Sequence, residues 1–147
     1  MGSKQVWSVI TPKQMIEIMW QLDHVMQARS KRMQKMIGIT SPQRAVLRHI
    51  DARGPTSPKA LAQAVHLHPS TLTGILQRLE TGRLITRKPH ATDSRQALIG
   101  LTAAGKKLAR RVPGSIETII EKVFAQSTDE EAQCAYRVLG RLVVALE

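Results

Sequence analysis

Ser70, Thr71, Thr73, Gln77 and Arg78 gather hydroxyl, amide and guanidinium groups within one short stretch that opens at Pro69. Side chains of these types exchange hydrogen bonds with base edges and phosphates. A second set follows, in which Arg87, Lys88, His90 and Arg95 surround Asp93. Of these, Lys88 and His90 suit phosphate, where they supply affinity with little sequence information. No Ser–His–Asp set, carboxylate pair, phosphate loop or metal cluster stands at informative spacing, so an enzyme is not expected. His66 and His68 flank a turn with no acidic or cysteine neighbours, which argues against a metal site; no cofactor is expected. Cys134 is the only cysteine, which excludes an intrachain disulfide, and its place between Ala132 and Ala135 reads as small core packing.

Charge points the same way. The 147 residues carry a net charge of +11, a field that attracts polyanions. Between residues 40 and 100 there are nine Lys/Arg against three acids, and beyond 100 seven against six. The excess therefore sits on the segment that holds both candidate sets. No apolar run approaches the ~18 residues of a membrane span. Thr11-Pro12-Lys13-Gln14 interrupts the N-terminal apolar stretch before any signal-peptide pattern, so a cytoplasmic protein without membrane contact is expected. Aromatic residues are scarce, at 3%, which favours an aliphatic core of packed helices over a sandwich or barrel.

The elements that must position these groups are punctuated clearly. Thr11-Pro12, Ser41-Pro42 and Ser57-Pro58 each pair a capping hydroxyl with a proline suited to a first helical turn. They predict a long helix from Thr11 to about Met36, a second from Pro42 to about Ala52, and a third from Pro58 to Val65 or His66. A fourth spans Ser70 to Thr81, where Leu72, Ile75, Leu76 and Leu79 make one core-facing stripe. The candidate set is left facing outward. The period then changes: Leu84–Arg87 and Gln96–Leu101 read as strands, joined by an exposed loop over 88–95. Thr102 opens a fifth helix to about Ala125, interrupted or kinked near Pro113-Gly114. Ser127-Thr128-Asp129-Glu130 has the capping-box form and opens a last helix reaching Leu146.

Two short helices across a tight 66–68 turn, then a basic hairpin, make a winged helix-turn-helix. The fold class is mainly α with a small β-hairpin. One helix fits the major groove, and a hairpin beside it can lay cations over the backbone or into the minor groove. Capping by Ser70 or Thr71 is the plainer role for those hydroxyls and is compatible with DNA contact.

Ser70-Thr71-Leu72-Thr73, Leu79-Glu80, Leu84-Ile85-Thr86-Arg87, Asp93-Ser94-Arg95 and Leu101-Thr102-Ala103-Ala104-Gly105 stand at the spacing of the MarR family, which the chain resembles. The resemblance implies a sequence-specific, dimer-dependent transcriptional regulator whose first, fifth and sixth helices form the dimer interface. It implies that Arg95 reaches the minor groove from the wing and that Asp93 orients the wing; an ion pair of Asp93 with Arg95 or Arg87 is the alternative. One departure stands out, because the family's glycine before Leu-Ile is here Arg83, with Gly82 preceding it. Either the helix ends one residue early or Arg83 is left-handed.

One MarR-type domain over 1–147 follows, with 40–102 as the DNA-reading lobe and 11–38 and 103–147 as dimerisation helices. The expected partners are a pseudo-palindromic duplex, a second copy of the chain and a small, often aromatic, effector that releases a repressor. For an effector contact the residues themselves offer only Trp20 and His24, one turn apart on the first helix. The alternative function is an architectural or protein-interaction winged helix without operator specificity.

Overall fold

The computed structural model describes residues 10–89, 97–110 and 112–146. The order is α1 (Pro12–Ile37), α2 (Ser41–Arg53), α3 (Pro58–Ala64), α4 (Pro69–Thr81), β1 (Ile85–Pro89), β2 (Ala97–Leu101), α5 (Ala103–Ala109), α6 (Ile116–Phe124) and α7 (Asp129–Leu146). The fold is thus mainly α with one hairpin, as the pattern of apolar residues requires.

Local chemistry sets most of the boundaries. Thr11 caps α1 reciprocally with Gln14, and Gly38 ends it in the left-handed region at φ 78°. Two caps differ from expectation by one residue. Thr40, not Ser41, caps α2, because Gln43 stands three residues on and completes the box. The freed Ser41 N–H donates to the Ser30 hydroxyl of α1 at 3.0 Å. Likewise Thr128 pairs with Glu131 at the start of α7, in place of Ser127 with Glu130. The expected fifth helix is two helices, since Gly114 turns the chain at φ 75° and Ser115 caps α6 afresh.

The core lies between Ile39 and Ala109. Val46, Leu47 and Ile50 of α2, Leu61 of α3 and the α4 stripe of Leu72, Ile75, Leu76 and Leu79 pack on Ile85 and Ile99 of the hairpin. β1 and β2 are antiparallel, with Ile85 opposite Leu101 and Pro89 opposite Ala97. Lys88 and Pro89, expected in the loop, extend the strand. Thr56 adds a bridge on the other edge of β2, exchanging backbone hydrogen bonds with Ile99 at 3.1 and 2.8 Å.

α3 and α4 end in the same way. At the end of α3, Leu67 N–H donates to Ala62 O and His66 N–H to Gln63 O. At the end of α4, Leu84 N–H donates to Leu79 O and Arg83 N–H to Glu80 O. Both are Schellman turns, and their left-handed residues are His66 (φ 51°) and Arg83 (φ 54°). Gly82 keeps φ −72°. The glycine therefore stands one residue before the position that needs it, and the departure at Arg83 resolves as a strained left-handed arginine.

Thr102 then fastens this turn. Its hydroxyl donates to Arg83 O at 2.9 Å, its N–H donates to Leu84 O at 3.1 Å, and its oxygen caps α5 at Gly105. A Cβ on Gly105 would overlap the Leu84 carbonyl oxygen. That close approach explains a glycine inside a helix, where it otherwise costs about 1 kcal/mol.

Candidate nucleic-acid interface

With its apolar stripe buried, α4 has one orientation on the core. Ser70, Thr71, Thr73, Gln77 and Arg78 are all exposed on its opposite side. The hydroxyl of Thr73 donates to Pro69 O at 2.9 Å, which leaves its lone pairs as acceptors. The residue that caps α4 is His68, in place of Ser70 or Thr71: the Ser70 N–H donates to His68 Nδ1 at 3.3 Å. A Cβ on Gly74 would meet no protein atom within 4 Å, which leaves this side of α4 open.

The wing begins where α4 ends. Arg87 Nε donates to Glu80 Oε2 at 2.9 Å, tying β1 to the last turn of α4. The sequence points Arg87 to DNA or to Asp93, and nothing local to Glu80 marks it as the partner. Lys88 is exposed at the far end of β1. His90, Asp93 and Arg95 lie outside the described residues, so the structure brings together the α4 set, Arg87 and Lys88 only.

Between α2 and α6 is a charged joint that the apolar pattern did not reveal. Arg44 of α2 is almost completely buried, yet its Nη1 meets Glu117 Oε2 at 2.5 Å and its Nη2 donates to Arg110 O at 2.7 Å. Arg48 reaches the other Glu117 oxygen at 2.9 Å. Burial works to raise the Glu117 pKa, but bonds from the Ser115 hydroxyl, its own backbone N–H and Arg48, with the field of Arg44, outweigh it and lower it to about 2. The partners stand 73 residues apart, a pairing no local spacing announces.

A cavity of about 450 Å³ opens beside this joint. α1 contributes Asp23, Met26, Gln27, Ser30 and Met33, α2 contributes Pro42 and Ala45, and the turn contributes Val65 and Leu67. Trp20 and His24 are exposed and do not line it. The polar residues that do line it, Asp23, Gln27 and Ser30, recur at helical spacing on α1. Cys134, expected in a core, is exposed on α7. Among the described residues no group of three or more His, Cys, Asp or Glu is placed to hold a metal ion, and no helix is long and apolar enough to cross a membrane.

A core-locked helix with a polar outer face, followed by a basic hairpin tied to its end, defines a winged helix-turn-helix. A model of the MarR family matches residues 37–96. The organic hydroperoxide resistance transcriptional regulator of Bacillus subtilis is 34% identical over 106 residues, which span 65% of this chain and 72% of that one. Staphylococcus aureus MepR in its DNA complex superposes with a TM-score of 0.76 at 24% identity, covering 89% of this chain and 96% of that one. PcaV of Streptomyces coelicolor, in complex with its natural ligand, gives 0.73 at 23% identity, with 94% and 95% covered. The chain belongs to the MarR family of DNA-binding transcriptional regulators.

Proposed function

We propose that the chain acts as a homodimeric repressor that reads a pseudo-palindromic operator with two copies of α4 and is released by a small molecule. The observation that carries operator reading is the locking of α4. Four buried side chains fix the helix, and the polar side chains at 70, 71, 73, 77 and 78 are all exposed, where they can meet base edges or phosphates. On this reading the flanking wing supplies backbone contacts through Lys88 and His90 and a minor-groove contact through Arg95, oriented by Asp93. Arg87 braces the wing through Glu80.

The homodimer is supported by what the single chain leaves uncovered. α7 buries none of its residues, and Tyr136, Leu139, Val143 and Val144 are exposed along it. Ile18, Trp20, Leu22 and Val25 of α1 and Ile120, Val123 and Phe124 of α6 are exposed as well. Apolar faces of this extent mark an interaction surface, and a second copy supplies a matching one. Release by an effector is supported by the cavity at the Arg44–Glu117 joint, where a ligand would press between α1 and the reading lobe.

Binding-site selection from random duplexes tests the reading. It should recover an inverted repeat with half-sites roughly one helical turn, about 10 base pairs, apart. Recovery of no motif would favour the architectural alternative.

A further inference from the structure

We infer that Glu80 is a positioning residue, an acid that promotes DNA binding by aiming Arg87 at one backbone phosphate, a role that rests on the DNA-binding reading above. Thr73, Gln77 and Glu80 follow one another at spacings of four and three, so they run along one exposed side of α4. Glu80 thus continues the line of the reading face, where a carboxylate by itself repels phosphate. Arg87 meets it from β1. Side chains alternate along a strand, so Arg87 shares a face with Ile85, and it stands opposite Ile99 in the ladder. Ile85 and Ile99 are both in the core, so Arg87 leaves β1 on the side that packs against α4. Thr86 and Lys88 take the other face.

The bond uses Nε of Arg87, which donates to Glu80 Oε2 at 2.9 Å. Among the described residues, Nη1 and Nη2 have no hydrogen-bond partner, and 36% of the Arg87 side chain is exposed. One donor of the rigid guanidinium fork is spent on orientation, and the terminal pair is left to grip an oxyanion. The place of the pair decides which oxyanion. With α4 in the major groove and the hairpin over the adjacent minor groove, the phosphate backbone runs between them. A guanidinium at the junction of α4 and β1 faces that backbone, and its two terminal nitrogens match a phosphate end-on.

The test measures affinity for the duplex recovered by site selection as a function of salt. Plain repulsion predicts that removing the acid tightens binding; positioning predicts the reverse. Glu80→Ala should bind about tenfold more weakly and flatten the salt slope by about one, as Arg87→Ala does. The double variant should lose no more than either single one. Glu80→Gln keeps an oxygen that accepts from Nε without the charge, and should retain the wild-type slope and bind at least as tightly. Duplexes carrying a single uncharged methylphosphonate at each position in turn then locate the contact. Wild type, Glu80→Gln and Lys88→Ala should all lose affinity at one shared position to which Glu80→Ala and Arg87→Ala are indifferent. Circular dichroism establishes that the variants are folded. Tighter binding and a steeper slope in Glu80→Ala, no rescue by Glu80→Gln, or sensitivity lost at several positions at once, as a merely loosened wing would give, each overturns the proposal and leaves the DNA reading standing. A folded wild-type chain that binds no duplex at any salt concentration overturns the DNA reading itself, which separates the two failures.

Discussion

Between Ile39 and Ala109 the large apolar side chains meet one another, and Val46, Leu47, Leu61 and Leu79 are sealed from water within a single chain. In α7 the same residue types at the same helical spacing stay largely uncovered: Tyr136 is 82% exposed and Val144 74%. The difference is not one of composition or helix propensity. It is one of available partners. The first region closes on itself because α2, α3, α4 and the hairpin present complementary faces. The arms α1, α6 and α7 carry more apolar surface than this core can cover, which is why the proposed second copy belongs to the fold as well as to the function. The joint between the two regions is electrostatic, made by Arg44, Arg48 and Glu117.

Variants that break or sharpen this contrast can be ranked by expected effect. Aspartates at Leu139 and Val143 together should leave the single chain folded, because both sites are already exposed. They should weaken self-association by more than about 4 kcal/mol, roughly a thousandfold, read as a halved mass in sedimentation equilibrium. An unchanged dimer would move the interface elsewhere. Leu79→Ala acts on the closed region and should cost about 3 kcal/mol in urea unfolding.

At the joint, Glu117→Gln should cost about 2 kcal/mol, because Arg44 would keep a buried charge without its counterion. The low end of the range applies because 32% of the Glu117 side chain meets water. The pH dependence has a definite sign. A carboxyl held at about 2 against an ordinary 4.5 contributes stability above that ordinary value and loses it as pH falls from about 4.5 through about 2. Glu117→Gln should lack that acid limb. Smallest is Arg83→Gly, which should raise stability by about 0.5–1 kcal/mol by relieving the left-handed residue at φ 54°. No gain in thermal midpoint would mean that the chain has compensated the strain through the Thr102 bond to Arg83 O.

These effects also show what the sequence could and could not disclose. The extent and outward face of α4 were legible because a proline and a four-residue stripe act within one segment, whereas its cap, His68 in place of Ser70 or Thr71, was not. The interruption at Pro113-Gly114 was legible for the same reason. The shifted caps at Thr40 and Thr128 were written in local spacing too, since Gln43 and Glu131 stand three residues beyond them. What stayed hidden depends on pairs brought together by folding. Nothing near Arg44 in the chain indicates Glu117, and nothing at Gly105 indicates the Leu84 carbonyl above it. Glu80 took its meaning only when β1 turned back beside α4. His68 flanks a turn in the sequence, and its capping bond depends on side-chain direction that spacing does not give.

The most direct measurement compares Gln77→Ala with Lys88→Ala on the selected duplex and on a scrambled duplex of the same length, at one salt concentration. If α4 reads sequence and the wing holds the backbone, Gln77→Ala lowers affinity for the selected duplex about tenfold and leaves the scrambled one unchanged. Lys88→Ala lowers both equally and flattens the salt dependence. Equal losses on both duplexes for Gln77→Ala, or no loss on either, would contradict the placement of α4 as the reading helix.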